Sequence, residues 1–420
     1  SFKSEFVVRR THIFVTRISI MSEVETIDVL IVGSGPSGTS TALHLIKHDP
    51  SWAERIVIVD KAVHPREKLC GGGITHLGRN VLSDLGLTLE PRHFDVTEAR
   101  LVYHDQSYSF FSDPVFTIVR RDEFDHWLVK TAEKLGVRVR QGEAVKEITP
   151  HDDHVEVVTE LATFHAKVVV AADGSRSYVR RKLKWADEDP GVNDPHVARL
   201  IEVLTPEDPN TTPEFRDGVA VFDFTPMDDG LQGYYWDFPS FVKGKAYMNR
   251  GVFDSRARPE KPKADLKEIL AGELAERGRQ LDDYELKGHP IHWWNARGKF
   301  ARPRVLLVGD AAGADPLMGE GISFALGYGD PASATIIDAF ARDDFSLDSY
   351  RERLSAHPLF RQLDRRVRLA RYAYWLNRPW LAGLGWRVMR LVMRFTSWSD
   401  PSHVPIREPE FRLTDIVSHS

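Results

Sequence analysis

The chain has 420 residues and a formal net charge of −5, long enough for two domains or one large one with a sizeable core. That charge balance points to no nucleic-acid partner. The single cysteine, Cys70, excludes a disulfide framework, a Cys-rich zinc site and a multi-cysteine iron–sulfur cluster, so no metal is expected. No apolar run reaches the length of a membrane span, and the cysteine usage fits a reducing, cytoplasmic setting.

Residues Ser1–Ile20 are rich in Arg and poor in acids and precede Met21. They read as upstream translated sequence, with an organellar transit peptide as the alternative. Ile27–Val32 then reads as a buried strand, and Gly33-x-Gly35-x-x-Gly38 follows it directly into a helix over Thr39–Lys47. Gly33 permits the tight turn, Gly35 lets a pyrophosphate approach the backbone at Pro36 and Ser37, and Gly38 lets helix and strand pack closely. The helix N-terminus favours the phosphates. A second strand, Ile56–Val59, ends in Asp60, with Lys61 beside it, where an acid takes ribose hydroxyls. This is the pattern of a dinucleotide site.

Lys61–Thr75 contains Arg66 and Lys68, which could serve phosphates, and then Cys70-Gly71-Gly72-Gly73. Three glycines in a row allow a backbone to lie against a flat ring; a flexible surface loop is the other reading. Thr75–Leu85 reads as a helix, Val96–Val119 as antiparallel strands, and Arg120–Leu135 as a helix opened by Arg120-Arg121-Asp122. Val137–Val139 and Val155–Val158 read as strands. Phe164–Ala172 reads as a strand ending in Asp173-Gly174.

Val197–Leu204, Val219–Phe224, Leu231–Phe238 and Lys245–Phe253 are expected to form a second, antiparallel sheet. Tyr234, Trp236 and Phe238 alternate, so on a strand they share one face. Leu266–Leu274 reads as a helix. Val305–Val308 is a further buried strand, ending in Gly309-Asp310, and Ser323–Phe340 reads as one helix of small residues. Three ligand-facing turns thus fall at strand ends, where open α/β sheets bind ligands. Ser346–Trp398 reads as helical and basic, with eleven arginines from Arg351 to Arg394. Leu384, Val388, Leu391 and Phe395 share a face flanked by Arg387, Arg390 and Arg394, with Trp375, Trp380, Trp386 and Trp398 nearby. That pattern suits either a peripheral membrane contact or a packed bundle whose arginines pair with acids elsewhere.

Together the three turns resemble the flavoprotein superfamily of p-hydroxybenzoate hydroxylase, which carries an FAD-type GxGxxG, a mid-chain Asp-Gly and a late Gly-Asp. The resemblance implies FAD as cofactor, with Asp173 and Gly174 near it and Gly309 and Asp310 at its ribityl or pyrophosphate part. Arg120 or Arg121 matches the arginine that reaches FAD from the intervening helix, and Arg120 is the one assigned here. Within that superfamily three details are similar to the geranylgeranyl reductase family. Leu69-Cys70-Gly71-Gly72-Gly73 resembles its Pro-Cys-Gly-Gly-Gly loop, with Leu69 in place of proline. Tyr234-Tyr235-Trp236-Asp237-Phe238-Pro239 matches its Tyr-x-Trp-x-Phe-Pro signature, and Gly309–Ile322 its Gly-Asp-Ala-Ala…Pro-Leu-x-Gly-Glu-Gly-Ile run, including Gly319, Gly321 and Ile322.

The implied architecture is α/β (α+β overall): a Rossmann-like FAD-binding domain from 27–98, 120–195 and 300–345, after an extension at 1–26. An antiparallel-sheet substrate domain spans 99–119 and 196–299, and a basic helical region spans 346–420. The implied activity is reduction of carbon–carbon double bonds in an isoprenoid chain of a lipid, prenyl diphosphate or quinone, with NAD(P)H or another electron donor. Cys70, Tyr234, Trp236 and Phe238 are the candidate catalytic residues. Cys70, Gly71 and Gly72 also join the cofactor set. Aromatic monooxygenation or halogenation on the same fold, and electron transfer to quinone, remain open alternatives. The expected location is the cytoplasm, with membrane association through the C-terminal helices.

Overall fold

In the computed structural model, which describes residues 24–185, 197–374, 383–388 and 406–418, two eight-stranded sheets carry the chain. The first sets Val305–Leu307, Thr163–Ala171, Val24–Val32, Ile56–Asp60 and Arg138–Gln141 side by side, all parallel. Its central residues, among them Leu30, Val57 and Val169, are wholly buried. Parallel strands covered on both faces need such unbroken apolar runs. The helices Pro36–His48, Arg121–Lys134, Ile322–Gly327 and Gly329–Arg342 share the apolar core of this sheet.

The second sheet runs Lys287–His292, Val197–Pro206, Lys245–Asp254, Gly233–Val242, Val219–Asp223, His93–Tyr103, Gln106–Val119 and Gly73–Thr75. Strand alternation gives its two faces different jobs. Tyr234, Trp236 and Phe238 join one aromatic cluster with Phe116 and Phe253. Tyr235 and Val252 turn to the other face, under the helix Leu266–Glu276. There Asp237 accepts hydrogen bonds from Arg250 at 2.6 Å and from Arg277 at 2.7 Å, so this buried carboxylate is paired rather than stranded.

Several expectations need correction. The second sheet is not wholly antiparallel, because Val219–Asp223 runs parallel to His93–Tyr103. The proposed domain boundary at residue 98 cuts the strand His93–Tyr103, and Gly73–Thr75 also pairs into this sheet; neither short apolar stretch announces which sheet it joins. The expected helix Ser323–Phe340 is two helices, Ile322–Gly327 and Gly329–Arg342. Pro331 has no N–H to return to the Gly327 carbonyl, so the ladder is interrupted there. Val145–Pro150 is an unforeseen strand; it buries only Ile148, which leaves no alternation to read.

The C-terminal region is helical over Ser349–Ala356, Pro358–Ala373, 383–388 and Leu413–Ser418. Arginines of this region pair with acids from earlier segments: Arg353 with Asp338 at 3.2 Å, Arg366 with Asp315 at 2.7 Å and Arg407 with Asp84 at 3.0 Å. Leu391, Phe395, Arg390, Arg394, Trp375, Trp380, Trp398 and residues 1–23 of the N-terminal extension lie outside the described residues, while 24–26 belong to the strand Val24–Val32 and not to an extension. Among the described residues no helix is long and apolar enough to cross a membrane.

The close seating of the first helix depends on Gly38, where an added Cβ would lie 2.1 Å from the Gly33 carbonyl oxygen. Backbone cannot yield as a side chain can. Gly38→Ala should therefore cost about 1–3 kcal/mol, seen as a lower urea midpoint with an unchanged slope.

Candidate functional site

The neighbours Val305–Leu307, Thr163–Ala171 and Val24–Val32 are parallel, so the turns that follow them meet at one sheet edge. Backbone bonds lock these ends in step: Gly33 N–H to Val59 O at 2.8 Å, Ala172 N–H to Val32 O at 2.9 Å, and Val308 N–H to Ala171 O at 3.0 Å. Between this edge and the aromatic face of the second sheet lies a cavity of about 890 Å³. Gly33, Gly35, Pro36, Ser37, Asp60, Lys61, Asp173, Gly174 and Asp310 line its first-sheet end.

The glycines divide by role. Gly33 sits at φ +108°, and an added Cβ would meet the Ala172 carbonyl oxygen at 2.4 Å. Gly38 and Gly309 also face protein: a Cβ on Gly309 would lie 2.4 Å from Ser37 Oγ. Neither lines the cavity, and both serve packing. Gly35 differs, since the nearest atom to an added Cβ is Arg66 Nη2 at 3.5 Å, and Gly35 lines the cavity. It also caps the helix Pro36–His48 without any side-chain hydrogen bond, leaving first-turn N–H groups free for an anion.

Asp60 is nearly buried. Its Oδ2 accepts from Ser34 N–H at 2.8 Å and Ser34 Oγ at 2.7 Å, and its Oδ1 from Ala62 N–H at 2.9 Å. Burial alone would raise its carboxyl, but these donors outweigh it and hold the group below the usual carboxylate value. Asp173 goes the other way. Its Oδ2 accepts from Tyr178 N–H at 2.6 Å and Val179 N–H at 3.1 Å, while Oδ1 is buried with no partner, and burial raises its pKa.

The assignment of Arg120 is corrected: Arg121, not Arg120, lines the cavity. The helix opens at Arg121, which forms a fork with Asp125 at 2.8 Å through both nitrogens, joined by Arg66 at 3.1 Å. Arg120 is the extended residue before it and turns elsewhere, its Nε 3.6 Å from Asp122. The order of two adjacent arginines is a matter of helix phase, which the sequence leaves open.

The structure also adds residues. Lys68 Nζ lies 2.6 Å from His289 Nε2, and Ser175 Oγ lies 2.9 Å from the same nitrogen. Burial and the Lys68 charge push His289 down to about 4, so it is neutral at pH 7; burial brings Lys68 to about 8. His289 carried no local signal, because it reaches the cavity on the edge strand of the second sheet.

At the second-sheet end, Tyr234, Trp236, Phe238, Phe116, Phe222, Phe253 and Leu200 form an apolar wall. Ring centroids of Phe222 and Phe238 are 5.0 Å apart, and those of Tyr234 and Phe253 5.5 Å. Gly251, paired with Trp236 across the sheet, leaves the indole its room: a Cβ there would fall 2.3 Å from the ring. The Cys70–Gly73 loop crosses this wall. An added Cβ on Gly71 would lie 3.2 Å from the Phe238 ring, and Gly72 at φ +82° abuts Val119 O. Cys70 is half-buried, and its Sγ accepts from Gly72 N–H at 3.4 Å.

Gly319, Gly321 and Ile322 also line the cavity, on the segment after Pro316. Arg366, from the helix Pro358–Ala373, fixes that segment through Asp315 at 2.7 Å and Glu320 at 2.6 Å. Nothing near Arg366 in sequence hints at this contact.

The FAD binding domain family model matches residues 26–356. The chain is 27% identical over 350 residues to digeranylgeranylglycerophospholipid reductase 2 of Methanosphaera stadtmanae, covering 79% of this chain and 83% of that one. It is 28% identical over 341 residues to a menaquinone reductase of Mycobacterium tuberculosis, covering 74% and 76%. A solved structure of a geranylgeranyl bacteriochlorophyll reductase-like protein from Thermoplasma acidophilum is similar in fold. It matches with a TM-score of 0.70 at 20% identity, over 94% of this chain and 100% of that one. The chain belongs to the FAD binding domain family and is an FAD-dependent flavoprotein of the p-hydroxybenzoate hydroxylase-like fold.

Proposed function

We propose that this protein reduces isolated carbon–carbon double bonds in an isoprenoid chain. The observation that carries the reading is the shape of one cavity: a dinucleotide cradle at one end and an aromatic wall at the other. The cysteine–glycine loop lies over that wall. Relatives named for the reduction of prenylated lipids and of menaquinone support it.

The residues fit FAD. Gly35 leaves a backbone groove at an uncapped helix end, and Asp173 presents a buried oxygen with no protein partner. Arg66, Lys68 and Arg121 offer cations at the same end of the cavity. Asp310 and Gly174 would complete the cradle. When bound, FAD in its reduced form supplies the hydride, and a proton completes the addition to each double bond.

An unactivated alkene gives the protein no carbonyl to polarise, so its own share is orientation and dryness. Tyr234, Trp236 and Phe238 would hold the chain flat on one side. The backbone of Gly71–Gly73, bare of side chains, would bound the same space where it rests on Phe238. Cys70 is the nearest thiol to that space and a candidate proton donor. NAD(P)H or another donor would restore the reduced cofactor.

Membrane contact is part of the proposal. In segment 383–388, Leu384 and Val388 are 52% and 50% exposed, one helical turn apart. Trp386 instead packs on Tyr103 and Phe224, with centroids at 5.7 and 5.3 Å. Such a face suits the boundary of a lipid surface from which a prenyl chain is drawn.

Three outcomes test this. Protein reduced anaerobically with dithionite should convert prenyl diphosphates, prenylated glycerolipids or menaquinone to products heavier by two hydrogens per double bond. Oxygen-dependent product without that gain would instead establish oxygenation. Gly35→Val should fold normally yet be purified largely without flavin absorbance, because its side chain fills the groove; full retention of flavin would remove Gly35 from the cradle. Binding to vesicles containing anionic lipid should weaken with salt and fall in the double variant Leu384→Asp/Val388→Asp. Unchanged binding by that variant would rule out this face.

A further inference from the structure

The Cys70 loop is gripped from the second sheet on both sides of one residue. Glu202 Oε1 accepts the Cys70 N–H at 3.3 Å, and Asn249 Nδ2 donates to the Cys70 carbonyl at 3.2 Å. Asn249 also accepts from Trp236 Nε1 at 2.8 Å, so the loop and the aromatic wall share one side chain. Glu202, Gly251 and Trp236 stand in register on adjacent strands. Glu202 is 4% exposed, and its second oxygen, Oε2, is buried without a partner. None of this is needed for the sheet to form, and a buried unpaired carboxylate oxygen is costly.

We propose that Glu202 is a positioning residue, which with Asn249 clamps Cys70 against the aromatic wall, and that the charge on Glu202 governs how the thiol is presented to the cavity. Besides the Cys70 N–H and the Asn249 amide, two cations act on it. Arg120, from the residue before the helix Arg121–Lys134, is the cation that most favours its ionised form, and Lys287 on the adjoining edge strand adds a weaker pull. Lys287 is itself paired with Glu67 and Glu285. Arg120 Nε, 3.6 Å from Asp122, is like Glu202 Oε2 buried without a hydrogen-bond partner. Burial outweighs both cations and raises the carboxyl to about 7. The group is thus neutral in mildly acidic solution and acquires charge through the neutral range. Once ionised it accepts the Cys70 N–H more strongly, and from that place on the residue's own backbone it repels negative charge developing on the sulfur as it reacts. The consequence for turnover rests on the proposed reduction; the clamp itself does not.

Cys70 is the only cysteine in the chain, so alkylation of the purified, flavin-containing protein by iodoacetamide reports on it alone. Below a thiol's pKa the rate of such a reaction rises about tenfold per pH unit. In the wild type the rise between pH 6 and 8 should lag that line by about threefold or more. Glu202→Gln, which keeps the shape and cannot ionise, should restore the straight line. Asn249→Ala should speed alkylation at every pH while keeping the lag, because it frees the carbonyl side of the clamp. A wild-type trace with no lag overturns the proposal even if the variants fail to fold. Superimposable wild-type and Glu202→Gln traces overturn it as well, and so do unchanged rates in Asn249→Ala. These readouts need no substrate, so they separate failure of the clamp from failure of the reductase reading.

Discussion

Everything in this molecule hangs on four parallel strands ending at one level. Val24–Val32 lies between Thr163–Ala171 and Ile56–Asp60, and Val305–Leu307 flanks Thr163–Ala171. The register is held past the last strand residue by bonds that tie Gly33, Ala172 and Val308 to their neighbours. That alignment lets residues far apart in the chain, Gly35, Asp173 and Asp310, open on one cavity. Gly33 and Gly38 permit it by removing side chains from a contact where backbone meets backbone. A shift of one residue would reverse which side chains face the cover and which the core.

The second sheet answers with the opposite chemistry. Its strand Gly233–Val242 sends three rings to the cavity and puts Tyr235 and Asp237 behind them. The rear carboxylate is satisfied by Arg250 and Arg277, which frees the front of the strand from polar duty. The cavity therefore grades from charged residues to aromatic ones across its length. A ligand with a polar, phosphate-bearing part and an apolar part is the natural occupant of such a gradient.

Joining these two ends is the loop Lys68–Gly73. Lys68 meets His289, Cys70 meets Glu202 and Asn249, and Gly71 rests on Phe238. The C-terminal helix Pro358–Ala373 performs a similar service on the other side through Arg366, which pairs with Asp315 and Glu320. At Arg366 the buried charges are paired, and pairing of this kind is better at selecting one geometry than at adding stability.

Much of this was legible beforehand, for local reasons. Unbroken apolar runs ended by Gly33, Asp173 and Gly309 declare buried strands and their turns, and alternation declares the face shared by Tyr234, Trp236 and Phe238. Those signals are carried by neighbours in the chain, so one sequence suffices to read them. The choice between Arg120 and Arg121 depended on helix phase. The packing roles of Gly38 and Gly309 depended on what the fold set opposite them. His289 and Arg366 line the cavity, and Glu202 and Asn249 hold the backbone of its Cys70 loop, from strands and a helix that carry no motif, through pairings across 46 to 221 residues. Such contacts exist only once sheet order and register are settled, and the tertiary structure alone decides those.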